Sequence, residues 1–157
     1  MKKIFIYSVL GFAVLFIFSC SSTKKARTQK IDRIIMEARS YTGTPYRYGG
    51  MSRTGMDCSG LLVRSFESAG VSIPRTSKAQ SKYGKSISRD NLKEGDLVFF
   101  SDKKWRRRIT HVGLVTEVDG LNSVKFIHAS TQLGVVESEF FVDYYQKLFV
   151  KARRPKF

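Results

Sequence analysis

The stretch "GMDCSGLLVRSF", residues 55–66, sets Cys58 between Asp57 and Ser59, just ahead of an apolar stripe at helical spacing. A helix from Cys58 to Ala69 puts Leu61, Leu62, Ser65, Phe66 and Ala69 on one face. Asp57 is then a natural N-cap and Gly70 a natural stop. Cys58 falls at the helix N-terminus, where unpaired N–H groups and the helix dipole lower a thiol's pKa and favour the thiolate. A thiolate is a nucleophile, most effective with an imidazole beside it. A buried structural cysteine is the plain alternative.

Upstream, Gly43, Pro45, Gly49 and Gly50 punctuate "GTPYRYGG", residues 43–50, as a loop. A first helix is predicted over residues 31 to about 42, with Ile31, Ile34, Ile35 and Ala38 on one face. Downstream, Ser77 and Gln80 form an S-x-x-Q capping box for a short helix from Ser77 to Tyr83. The pattern then changes. "DLVFFS", "HVGLVTEV", "SVKFIHAS", "GVVESEF" and "LFVKARR" are short segments rich in β-branched and aromatic residues, as strands are. Helices followed by strands predict an α+β domain with an antiparallel sheet.

The 157 residues suit one domain with a hydrophobic core. The formal charge of +15 calls for anionic surroundings: nucleic acid, a lipid surface or an anionic wall polymer. Lys2 and Lys3 precede an uncharged apolar run over residues 4–19, the layout of a secretory signal and short of the ~20 residues a spanning helix needs. Small Ser19 stands directly before Cys20. This resembles the lipobox of bacterial lipoproteins, with Phe18 bulkier than the residue usual there. The resemblance implies cleavage after residue 19 and acylation of Cys20; an uncleaved anchor is the alternative. Residues 20–30, polar after Cys20, read as a basic tether, and the domain proper as 31–157. Export argues against a nucleic-acid partner. With Cys20 acylated, Cys58 has no disulfide partner.

The only two histidines open and close strand segments: His111 begins "HVGLVTEV" and His128 lies near the end of "VKFIHAS". Alternation puts Val124, Phe126 and His128 on one face. Two strand-end histidines can meet at one edge of a sheet, and with Cys58 they supply a nucleophile, a base and an orienting group. The same three side chains could ligate zinc, but no HExxH or CxxC motif accompanies them. No metal or cofactor is expected.

"YRYGG", "DCSG", "PRTS", "GDLVFF", "HVGLV" and "FIHAS" occur in the order found in NlpC-type papain-like cysteine peptidases of bacterial cell walls. The resemblance covers residues 31 to about 154 and is nearest to small lipoprotein murein endopeptidases. It implies Cys58 as nucleophile, His111 as general base and His128 as the group orienting it. It puts Tyr46 at the oxyanion side, and assigns Asp57, Ser59, Arg75 and Ser77 to substrate binding. The implied reaction is hydrolysis of peptide bonds in peptidoglycan, in stem peptides or cross-links, by a monomer in the cell envelope. Ser21 after Cys20 points to an outer-membrane anchor facing the periplasm. A silent wall-peptide binder, or an amidase or acyltransferase on the same scaffold, are the rival functions. Finally, "KKWRRR", residues 103–108, and the basic C-terminus offer electrostatic attachment to anionic glycan or lipid; a solvated loop is the alternative reading of the charge run.

Overall fold

A computed structural model describes residues 24–102, 108–120 and 123–156. The signal-like run, Cys20 and most of "KKWRRR" lie outside these residues. Helix α1 covers residues 24–40, beginning before the expected start at residue 31. Lys, Ala, Arg and Gln are good helix formers, and Thr28 Oγ1 donates to the Lys24 carbonyl at 3.1 Å. The polar segment 24–30, read as a tether, is therefore helical. Ile34, Ile35 and Ala38 are buried as expected. Gly43, at φ +83°, turns the chain back, and its N–H donates to Val135 O at 2.9 Å.

Two short strands, β1 (Met51–Ser52) and β2 (Gly55–Met56), pair just past this loop. Helix α2 spans Cys58–Ser68 with Ala69 as its C-cap. Helix α3 is only Ser77–Gln80, and its cap is Thr76, whose side chain accepts from the Ala79 N–H. The Ser77–Gln80 capping box does not form. Gln80 is drawn into the interior, where its Nε2 donates to Ser59 O and Pro74 O at 3.2 and 2.8 Å.

A six-stranded antiparallel sheet follows: β3 (Lys85–Ile87), β4 (Leu97–Phe100), β5 (His111–Val118), β6 (Val124–Ser130), β7 (Gly134–Glu139) and β8 (Phe149–Arg154). The order is β3-β8-β4-β5-β6-β7. The five strands expected from sequence are all present. Strand β3 and helix α4 (Asp143–Leu148) are additions. Neither carries a fully buried residue, so neither leaves an apolar period to read.

Alternation along the strands serves two cores. Leu97, Phe99, Val112, Leu114, Ile127 and Ala129 face α1 and α2. Val98, Phe100, Val115, Phe126 and Ala152 face the other way, against Phe140 and partly buried Tyr145, Leu148 and Phe149. Gly113 is required on β5, because a Cβ there would stand 2.4 Å from a ring carbon of Phe126. None of the described helices is long and apolar enough to cross a membrane.

Fully buried Asp96 is held by Arg154, which donates from Nε to Oδ1 and from Nη2 to Oδ2, both at 2.7 Å. The pair clips β8 to the entrance of β4. Arg154→Ala strands a buried carboxylate, a loss of about 3 kcal/mol. Urea unfolding of the variant beside the parent measures it, and an unchanged midpoint would refute this role for the pair.

Candidate active site

Asp57 organises the start of α2. Its Oδ1 accepts from the Gly60 N–H at 2.6 Å and the Ser59 hydroxyl at 3.0 Å, while Oδ2 accepts from the Gly49 N–H at 2.9 Å. Arg75 grips the same carboxylate with two nitrogens, at 2.9 and 2.8 Å, and reaches Ser59 Oγ at 2.9 Å. Burial opposes ionisation of Asp57, but Arg75, the Gly60 N–H and the Ser59 hydroxyl outweigh it and hold the carboxyl below its usual range. Gly60 admits no side chain, since its Cβ would sit 2.3 Å from Gly50 O. Loop 46–50, α2 and the "PRTS" segment therefore converge on one carboxylate.

They enclose a cleft of about 350 Å³ whose walls include Tyr46, Asp57, Cys58, Ser59, Arg75 and Ser77. Tyr48, 90% exposed, stands at its rim. Tyr46 is held in place by bridging Met56. Its hydroxyl pKa is raised by burial and then by Cys58 and Asp57, which line the same cleft.

Cys58 is only 7% exposed. Burial pushes its thiol up to about 11, and Asp57 adds to the rise; the N–H groups of Val112, Ser59 and Cys58 itself only partly offset it. The expectation that the helix start would yield a thiolate is thus corrected. Burial costs the anion more than the helix terminus returns.

Val112 follows His111, so the sulfur lies at the first residues of β5. On β5 and β6, His111 Nε2 and His128 Nδ1 are 2.9 Å apart, with the rings edge to face. Burial lowers His111 to about 4; burial and then His111 lower His128 to about 3. Both imidazoles are neutral at pH 7. His128 stacks on Phe126 at 4.9 Å, on the face that alternation predicts. Its Nε2 meets Tyr145 Oη at 3.1 Å and Ser138 Oγ at 3.2 Å, and Tyr145 Oη donates to Ser138 Oγ at 3.2 Å. Sequence reasoning missed Ser138 and Tyr145. Ser138 sits on the strand paired with β6, opposite Phe126, but only the fold of α4 brings Tyr145 there. Among the described residues, no group of three or more His, Cys, Asp or Glu is arranged to hold a metal ion.

Residues 43–154 match the model of the NlpC/P60 family. The chain belongs to that family. Similar relatives of this NlpC/P60 domain include the "Probable endopeptidase NlpC" of Escherichia coli K12, 42% identical over 75% of this chain and 73% of the relative. Another is the "Murein DD-endopeptidase MepS/Murein LD-carboxypeptidase" of the same strain, 39% identical over 78% of this chain and 61% of its own length. Among solved structures, an NlpC/P60 family protein from Bacillus cereus ATCC 10987 superposes with a TM-score of 0.70 at 30% identity, over 79% of this chain and 39% of that one. The NlpC/P60 domain of peptidoglycan hydrolase SagA gives 0.61 at 27% identity, over 77% and 95%. The chain thus spans about two fifths of the Bacillus protein and nearly all of the SagA domain.

In this NlpC/P60 domain the bonds of the two histidines tie their proton positions to one another. If His111 keeps Nδ1 free to accept a proton, its own proton is on Nε2 and is donated to His128 Nδ1. Neutral His128 then carries its proton on Nε2 and donates it towards Ser138 or Tyr145. A thiol raised to about 11 predicts that alkylation of Cys58 by iodoacetamide accelerates steadily from pH 7 to pH 10. A rate already level across that range would mean a preformed thiolate and would refute the neutral resting site.

Proposed function

We propose that this domain is a cell-wall cysteine endopeptidase that hydrolyses peptide bonds of peptidoglycan by acyl transfer. The observation that carries the reading is the 2.9 Å His111–His128 bond at the start of a strand whose Val112 N–H reaches the sulfur of Cys58, a cysteine that opens a helix at the wall of a cleft. The names of the relatives, endopeptidases and peptidoglycan hydrolases among them, support the same substrate class.

In the reading proposed, the Cys58 proton passes to His111 Nδ1 as the sulfur attacks the peptide carbonyl. A C–S bond forms and the carbonyl π pair moves onto oxygen. Tyr46 and the Cys58 backbone N–H are the donors assigned to that oxyanion. His128 Nδ1 keeps its acceptor bond to the transient His111 imidazolium. His111 then protonates the amine nitrogen, the C–N bond breaks, and water releases the acyl group from sulfur. Asp57, Ser59, Arg75 and Ser77 form the binding wall. Because Asp57 is already gripped by Arg75, its first task is to hold the cleft together. A lipid on Cys20, reached after removal of residues 1–19, tethers a monomer in the envelope, at the outer membrane in a double-membraned cell. Neither a cofactor nor nucleic acid enters this scheme.

Purified peptidoglycan incubated with the protein or with Cys58→Ala, then analysed by mass spectrometry, tests the proposal. Fragments are expected from the parent alone, and their masses identify the bond. Release by both would rule out thiol chemistry. Since His111 protonates only as pH falls through about 4, kcat/KM is expected to hold from pH 7 down to about pH 5 and collapse near pH 4. A loss centred near pH 6.5 would contradict a buried, neutral base.

Removing both oxygens beyond His128, in Ser138→Ala/Tyr145→Phe, leaves a buried N–H without an acceptor. That costs about 1–3 kcal/mol, expected to appear as a roughly 10- to 100-fold drop in kcat with KM nearly unchanged. Restoring the serine alone should recover most of the loss. An unaltered kcat in the double variant would show that His128 is positioned without them.

A further inference from the structure

The charges of this domain are segregated across its sheet. Strands β3 and β7 are the two edges. Towards β7, the acids Glu117 and Glu137 take up Arg39, and Glu117 also pairs with Lys125. The opposite edge is basic. Lys82 and Lys85 flank the entry to β3, Lys151 and Arg153 lie on β8, and Lys156 follows it. Among the described residues, none of these five forms an ion pair. Lys82, Lys85 and Lys156 are exposed. Lys151 is lowered by burial and then by Arg153 and Lys82, so the charges stand near one another. A groove of about 400 Å³ beside them is lined by Arg27, Lys85, Arg154, Pro155 and Lys156, with no acid.

The same groove marks where the chain enters the domain. Arg27, in the first turn of α1, donates to Pro155 O at 3.5 Å. Cys20 precedes residue 24 by four residues, a reach of at most about 14 Å. Attachment through a lipid on Cys20 holds the start of α1, whose first turn meets the groove, within about that distance of a bilayer.

We infer that the β3–β8 edge, through Lys82, Lys85, Lys151, Arg153 and Lys156, docks on the anionic headgroups of the membrane that holds the N-terminus. The inference rests on the membrane attachment proposed above. Each basic residue at an anionic leaflet contributes about a fivefold partition factor, and the effect decays within a Debye length of about 8 Å at physiological salt. Strand β6, with His128, is three strands from β8 in the sheet order. At about 4.8 Å per strand that is roughly 14 Å, and His111 on β5 is roughly 10 Å from β8, so docking on the β3–β8 edge leaves both histidines on the far side of β4.

The test uses the full chain, purified from membranes in detergent and reconstituted into phosphatidylcholine vesicles with or without phosphatidylglycerol. Flotation with the neutral vesicles reports attachment itself; failure to float would overturn the anchor on which the inference stands. Lysine acetylation, read by mass spectrometry, then reports docking. The expected result is slowing of about fivefold or more at Lys82, Lys85, Lys151 and Lys156 on phosphatidylglycerol vesicles, reversed by 0.5 M salt (about a 4 Å Debye length). Lys125 and Lys147 should be unaffected. Lys85→Glu/Lys156→Glu, both exposed positions, should abolish protection of Lys82 and Lys151 while flotation persists. Equal rates on both vesicles, in a chain that floats, would overturn the docking. Protection by soluble polygalacturonate but not by phosphatidylglycerol would overturn it in favour of an anionic glycan.

Discussion

The paired contact between Asp57 and Arg75 is the constraint on which the site depends. One carboxylate caps α2, receives the Gly49 N–H of the preceding loop and binds a guanidinium from a segment 18 residues later. Each contact alone is an ordinary cap or turn bond. Together they determine where Cys58 emerges, because the helix cannot start elsewhere without stranding a buried charge. The clearance demanded at Gly60, against the Gly50 carbonyl, adds a steric limit to the electrostatic one. The cleft is the space these segments leave when all of them satisfy Asp57.

Behind that frame, burial governs the chemistry. Burial raises the Cys58 thiol to about 11 and lowers the His111 imidazole to about 4, which favours the neutral form of each. The site does not store an ion pair. In the function proposed above, charge would develop only as substrate is attacked. The second histidine suits this arrangement. Its Nδ1 meets His111 Nε2 and its Nε2 meets two hydroxyl oxygens, so each of these ring nitrogens has a partner.

The strands from β4 to β8 were legible because their apolar residues alternate or run together, and α2 because its stripe recurs at helical spacing between a cap and a glycine. Cys58, Asp57 and the two histidines could be picked out, since nucleophile and imidazole residues are so few in this chain. The misreadings have one cause. Segment 24–30 and the Ser77 box were judged from local pattern, and α4 was not anticipated, while the state of each is set by what packs on it. Thr76 caps α3 because Gln80 is pulled inward to serve the carbonyls of Ser59 and Pro74. Strand β3 exists because β8 offers it a free edge.

By itself, then, the sequence determined α2, the five apolar strands and their order, and singled out the cysteine and histidines, because periodicity, capping and side-chain type are local properties. Only the tertiary structure decided the burial that raises the thiol's pKa, the meeting of the two histidines, and the arrival of Ser138 and Tyr145 beside His128. Those depend on burial and on distances between residues far apart in the chain, which no local pattern encodes.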